Sequence, residues 1–205
     1  MGLLHEMQTG RQADQLRAQA DAQAVLLDAE ADILGARADG SPCRPDRVHP
    51  AQPAAGFVGC RTRGTGMLPA APYFPQSLAE FDEVRALLQV GARFPCRDGI
   101  CAPASLAALA ALEDAPDALA HAARFGQYTQ ADADAAAPEA TRPRAWYWVE
   151  IFRYQNDATA APHHAAPDPN RPFVYRITVL AQGLHPGTRA VVKSLFVPYP
   201  STQLQ

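Results

Sequence analysis

Lysine is almost missing from this 205-residue chain: Lys193 stands alone against 17 arginines. With 18 basic and 21 acidic residues the net charge is −3 and the pI about 6.0. That balance supports no basic surface for nucleic acid, which is not an expected partner. No run of about 18 apolar residues occurs, so no segment of the sequence as given reads as a membrane-spanning helix. The N-terminus lacks the charged start, apolar centre and cleavage site of a secretory signal. The hydrophobic fraction is 48%, but 42 residues are alanine, which bury little area each, so the core is smaller than the figure suggests. Catalytic signatures are missing too. Ser194 has no Gly-x-Ser-x-Gly setting. The glycine-rich stretch from Gly59 to Gly66 has no Gly-Lys-Ser/Thr phosphate cradle. Asp132-Ala133-Asp134 opens like a calcium loop, but the glycine and closing glutamate of an EF-hand do not follow. His163-His164 lie in a Pro/Ala/Asp loop with Asp168, and no third spaced ligand accompanies them. They read as a solvated pair; the alternative is a secreted, disulfide-bonded enzyme or metal-binding protein that uses them. No catalytic residue, cofactor or metal ligand is expected.

What the chain does have is punctuated order. From Leu3 to Arg37 there is no proline, and the segment reads as one long helix. Leu16, Ala20, Ala24, Leu27, Ala31 and Leu34 step by four, four, three, four and three, which keeps them on one stripe. That stripe is expected to pack on the domain's own sheet, while Arg17, Asp21, Asp28 and Asp32 fall mostly elsewhere. His5 to Gln15 is polar nearly all round and is expected to project. Asp28 and Asp32 are like-charged neighbours one turn apart, an unfavourable pair that an arginine from the loops would relieve.

Prolines, 19 in all and roughly twice ordinary usage, crowd the stretch from Ala38 to Pro75 with glycines between them. This is irregular chain that needs something besides ladder hydrogen bonds to order it. Ser77 then caps a helix over Leu78–Val90, with Glu80 at the capping-box position. A Pro-Cys turn spans Phe94–Ala102, two short helices cover Pro103–Glu113 and Asp117–Arg124, and Gln130–Thr141 is a linker. Beyond it Ala145–Tyr154 is aromatic and β-branched. Trp146 and Trp148 share a face there and read as core rather than as a sugar platform. Phe173–Ala181 alternates, with Phe173, Tyr175, Ile177 and Val179 on one face. Arg189–Val197 is the last strand. Three sequential strands form an antiparallel meander.

Four cysteines allow three pairings. Asp98-Gly99 is turn chemistry that lets the chain double back between Cys96 and Cys101. Cys43 and Cys60 would then staple the irregular stretch, a loop closure worth roughly 3 kcal/mol. The sequential pairing is favoured; a zinc site and free thiols remain alternatives, zinc being disfavoured because Cys43 and Cys60 are too dispersed. Disulfides would place the chain in the periplasm or outside the cell. The missing export signal then suggests a chain trimmed at its N-terminus.

A long helix, a stapled irregular segment, small helices and a closing antiparallel sheet make an α+β order that resembles a type IV pilin globular domain. Two segments sharpen the resemblance to PilX-type minor pilins: the helix from Met7 to Glu30, and the closing hairpin of Tyr175–Gly183 with Thr188–Ser194. Gly99-Ile100-Cys101-Ala102-Pro103 is similar to that family's Gly-Leu-Cys stretch. The resemblance implies one pilin-like domain over residues 1–205: helix 1–37, irregular and helical insertion 38–141, sheet 142–200. It implies a non-enzymatic role in type IV pilus assembly and priming, at the periplasmic face of the inner membrane and at the extracellular pilus tip. The implied partners are other minor pilins, a large tip adhesin, the major pilin in the fibre, and the inner membrane through an apolar helix half not present here. The expected partner surfaces are the exposed parts of the Cys43–Cys101 region and the sheet edge formed by Arg189 to Val197, with Arg189, Val191, Lys193 and Leu195 as the contact residues. The alternative within this resemblance is the tip pseudopilin of a type II secretion system, which carries a helical insertion of the kind read at Ser77–Arg124.

Overall fold

A computed structural model describes residues 2–43, 60–61, 71–89, 96–103, 116–131, 144–155 and 166–198, with the backbone alone for 2–7 and 116–117. The first element, α1 (Gly2–Leu34), is a single helix of 33 residues. It stops earlier than the expected Arg37. Gly35 takes φ +65°, its N–H donates to Asp32 O at 3.0 Å, and Ala36 N–H donates to Ala31 O at 2.9 Å. That left-handed stop satisfies the last carbonyls and turns the chain away. The second helix, α2 (Leu78–Gln89), starts at the expected cap: Glu80 N–H donates to Ser77 Oγ at 3.3 Å. The Glu80 carboxylate reaches back to Gln76 N–H at 2.7 Å, one residue before the cap. Val84 and Leu88 bury the inner side of α2, and Phe81 stacks on Phe173 with ring centres 5.6 Å apart.

Six strands among the described residues make one sheet. They are β1 (Cys96–Arg97), β2 (Ile100–Cys101), β3 (Ala123–Arg124), β4 (Arg144–Arg153), β5 (Phe173–Gln182) and β6 (Arg189–Phe196). A short helix, α3 (Pro116–Ala120), precedes β3. The meander β4-β5-β6 is antiparallel, as the alternation implies, and its bounds fall within a residue of those read from sequence. The rest of the sheet is a correction. Strand β2 runs parallel to β4, pairing Ile100 with Val149 and Cys101 with Glu150, and β3 pairs antiparallel with the same edge of β4. The sheet is therefore neither wholly antiparallel nor confined to residues 142–200. The expected helix over Asp117–Arg124 ends at Ala120, because Ala123 and Arg124 join the ladder beside Tyr147 and Trp146. The helix expected at Pro103–Glu113 and the linker beyond Ala131 lie outside the described residues.

The turn between β1 and β2 is Asp98-Gly99, with φ 50° and 78°. Two successive positive φ values are the mirror-image hairpin turn that suits the right-handed twist of paired strands. Gly99 N–H donates to His121 O and Gly99 O accepts from Val149 N–H, each at 2.7 Å. This one residue joins the hairpin, the α3–β3 link and β4.

One face of the sheet is covered by α1. Ala18, Ala22, Val25, Ala29 and Ile33 are buried against Tyr147, Val149, Ile151, Tyr175, Ile177 and Val179. Small side chains let the helix axis approach the sheet closely. This overturns the expected packing face. Leu16 is 65% exposed, Leu27 67% and Leu34 42%, so the stripe of leucines points away from the sheet. Both sides of α1 carry alanine at helical spacing, so periodicity alone does not choose between them. The structure chooses the side that bears Asp14, Asp28 and Asp32, all buried. The opposite face of the sheet holds a smaller cluster in which Cys96, Cys101, Ala118, Ala122 and Leu180 surround Trp148. Trp148 is core, as expected, and its indole N–H donates to Ala118 O at 3.3 Å.

Candidate partner-binding surfaces

Three polar contacts fix α1 on the sheet and so decide which surfaces remain outside. Near one end, Asp14 accepts from the N–H groups of Leu184 (2.7 Å) and His185 (2.9 Å) in the β5–β6 turn. Those N–H groups hold its carboxyl well below the usual carboxylate range. Packing therefore begins at Asp14, while residues 8–13 are exposed, in keeping with the projecting polar start. Gly183 is needed here, because a Cβ would stand 2.6 Å from both Asp14 Oδ2 and Thr188 Cγ2.

One turn before the far end, Asp28 accepts from Gly126 N–H at 2.8 Å and from the Thr129 hydroxyl. Burial raises its carboxyl from 3.8 to about 6, against the lowering by those two hydrogen bonds. A carboxyl whose folded pKa lies above its unfolded one holds its proton more tightly in the native state. Its contribution is complete below pH 3.8 and is lost as pH rises through about 6. The difference is worth up to about 3 kcal/mol. Asp28→Asn is expected to flatten the stability–pH curve between about pH 4 and pH 7, read from urea midpoints; a slope equal to wild type would remove Asp28 as its source.

At the far end Asp32 accepts from the Tyr147 hydroxyl at 2.7 Å and lies 3.0 Å from Arg61 Nε, with both charged side chains almost fully buried. This is the loop arginine that the Asp28–Asp32 repulsion calls for. The contact is an ion pair, because no guanidinium nitrogen meets hydrogen-bond geometry with a described residue. The guanidinium instead lies over the Tyr128 ring, 3.4 Å from its centre, with Phe74 at 5.6 Å. Burial opposes the Arg61 charge, but Asp32 together with Tyr128 and Tyr147 outweighs it and the pKa is raised. Burial likewise pushes the Asp32 carboxyl up, against the pull of Arg61 and Tyr147. Arg61 follows Cys60, which is bonded to Cys43; Cys96 is bonded to Cys101 across the β1–β2 hairpin. One disulfide thus sets the counter-ion beside α1, and the other closes the cluster around Trp148.

With α1 held this way, two unlike surfaces face outward. The first is the Leu16–Leu34 stripe. The second is the open edge of β6. In the β5–β6 turn Gly183 N–H donates to Thr188 O, so by alternation Ala190, Val192, Ser194 and Phe196 bond back to β5. Arg189, Val191, Lys193 and Leu195 turn their backbone groups the other way. On β4, Val149 N–H bonds to Gly99 and Ala145 O to Phe125, which fixes the same alternation across the sheet. The four side chains expected to bind partners therefore share one face, opposite α1, and one backbone orientation. All four are exposed, Leu195 to 72%. The Gln15 side chain donates to Arg189 O at 3.3 Å, which covers the start of the edge. Among the described residues no strand pairs with β6 beyond β5.

No group of three or more His, Cys, Asp or Glu suited to a metal occurs among the described residues, and no helix there is long and apolar enough to cross a membrane. His163 and His164 lie outside the described residues, as does the Asp132–Asp134 stretch. The buried carboxylates on α1 gave a warning in the sequence, as a like-charged pair one turn apart. The Asp14 clamp gave none, because a lone aspartate in a polar stretch looks like any solvated residue.

Comparison with curated proteins and with solved structures gives no match. Residues 97–198, from the Cys96–Cys101 hairpin to just past β6, match the family described as type IV pilus assembly protein PilX, C-terminal part. That family is a structural pilus component rather than an enzyme family, and the matched region holds every strand of the sheet but the first residue of β1. Through that region the chain belongs to the PilX family of type IV pilus assembly proteins.

Proposed function

We propose that this chain is the globular part of a minor pilin that acts without catalysis, through subunit contacts that prime pilus polymerisation and build the tip complex. Its partners in this reading are other minor pilins, a large tip adhesin and the major pilin. Its location is the periplasmic face of the inner membrane, with an apolar anchor N-terminal to α1, and then the pilus tip. The observation that carries the reading is the outward stripe of α1. Leu16, Leu27 and Leu34 stay exposed on a helix whose other side is fully engaged by the sheet. From Ala20 to Leu34 the steps are four, three, four and three, the spacing of a seam that packs against another helix. A subunit that meets neighbours along its helix has a use for such a stripe. The PilX match favours a pilus over a type II secretion system as the assembly served.

The test is Leu27→Glu in the complete gene. Surface pili are expected to be lost, while the isolated chain keeps its stability within about 0.5 kcal/mol, because an exposed side chain is changed. Normal piliation with Leu27→Glu would overturn the assembly role of this face.

A further inference from the structure

We propose that the groove between α2 and the C-terminal end of β4 binds an acidic side chain of a different subunit, presented on an extended segment beside an aromatic or aliphatic residue. This rests on the assembly reading only for the existence of a partner; the geometry is its own. The groove holds about 330 Å³, at the lower end of the roughly 300–1,000 Å³ of small-ligand pockets. One bank is α2, where Leu78, Phe81, Asp82 and Arg85 share a face at steps of three, one and three. The other bank is the end of β4, with Phe152 and Arg153, and Pro103 just past β2.

The apolar walls are already fixed. Phe81 stacks on Phe173 with ring centres 5.6 Å apart, and the Arg176 guanidinium lies 5.1 Å from the Phe152 ring centre. Rings held from one side need not be ordered when an apolar side chain arrives, which lowers the cost of binding. Pro103 has no N–H with which to carry the β2 ladder on past Glu150. Tyr154 N–H donates to Pro172 O, on the β5 side. By alternation Arg153 turns its own N–H and C=O to the edge that β2 leaves. An extended segment laid along that edge meets backbone partners as well as side chains.

Charge names the side chain that enters. Arg85 and Arg153 are exposed, and among the described residues neither has a hydrogen-bond or ion-pair partner. Both line the groove together with one carboxylate, Asp82, which pairs with neither. Two guanidinium groups against one acid leave the groove net positive. Each guanidinium offers a planar fork of N–H donors that matches a carboxylate. A neutral side chain gains little from them, and a basic one is repelled.

The test is an amide-resolved titration of the isotope-labelled chain with three end-blocked peptides: Thr-Phe-Glu-Ile-Thr, and its versions with glutamine or lysine in place of glutamate. The glutamate peptide is expected to shift the Asp82, Arg85 and Arg153 amides saturably. The glutamine peptide is expected to bind about fivefold more weakly, and the lysine peptide more weakly still. Arg85→Glu combined with Arg153→Glu changes two exposed side chains, so the urea midpoint is expected to stay at the wild-type value. In that double variant the order of the glutamate and lysine peptides is expected to reverse. Equal binding of the three peptides, no saturable shift, shifts confined to other residues, or the wild-type order in the double variant would each overturn the proposal. Self-association of the wild-type chain that the double variant abolishes would also overturn it, by making a second copy the occupant. Failure here is separable from that of the assembly role. Normal piliation with the double variant overturns the groove alone, and normal piliation with Leu27→Glu bears on α1 alone.

Discussion

Replacing Arg61 with methionine is expected to destabilise the fold by about 3–5 kcal/mol, the usual cost of breaking a buried ion pair from one side. The loss follows from what remains. Asp32 stays almost fully buried, with the Tyr147 hydroxyl as its remaining partner, and Asp28 lies one turn away on the same face of α1. The carboxyl protonates rather than stay charged and unpaired, which caps the cost but makes it depend on pH. A chain of this size is expected to melt roughly 10 °C lower. Adding Asp32→Leu to the arginine change is expected to restore most of the loss, because two apolar groups of similar bulk replace a pair that must be desolvated together. Denaturant midpoints at constant slope measure all three variants. A loss below about 1 kcal/mol for Arg61→Met alone would mean that the guanidinium is not the counter-ion of α1.

Gly99→Ala is expected to be nearly as damaging, at about 2–5 kcal/mol, from overpacking together with a left-handed backbone. The added Cβ would lie 2.5 Å from Ala123 Cβ, 2.6 Å from Ala123 N and 3.0 Å from Tyr147 O, at φ +78°. None of these is the end of a flexible side chain, so no small rotation relieves the contact. The residue also carries the bonds to His121 and Val149 that tie the hairpin to β4. Combining it with Ala123→Gly is expected to recover only part of the loss. That change removes the Cβ contact and leaves both the backbone contact and the positive φ. Stability within about 0.5 kcal/mol of wild type for Gly99→Ala alone would show that the hairpin shifts freely.

How legible the sequence is depends on how local each element's cause is. The alternation in Phe173–Val179 requires one buried face, and all four inward residues are buried. Ser77 with Glu80, and Asp98 with Gly99, are short signals whose geometry stands as read. The parallel pairing of β2 with β4 is not legible, since two residues show no alternation and their partner lies 49 positions on, from Ile100 to Val149. The face of α1 is misread for a different reason. Leucines outrank alanines in any hydrophobic pattern, whereas the sheet takes the alanines for their size and the aspartates for their hydrogen bonds. The same inversion explains the candidate site. Once the leucines are known to point outward, the stripe read as core becomes the surface that asks for a partner. The β6 edge, by contrast, follows from chain order alone, because the last strand of a meander has a neighbour on one side only.

The Asp14 clamp and the Asp32–Arg61 pair also have a mechanical meaning. They lie 18 residues apart on one rigid rod, about 27 Å at 1.5 Å per residue. A pull along the axis of α1 slides the helix over the sheet and strains both attachments, and the alanine contacts between them, at the same moment. A pull across the axis would open them in turn. In a fibre that bears tension, the first direction is the one in which this subunit resists as a single sheared seam.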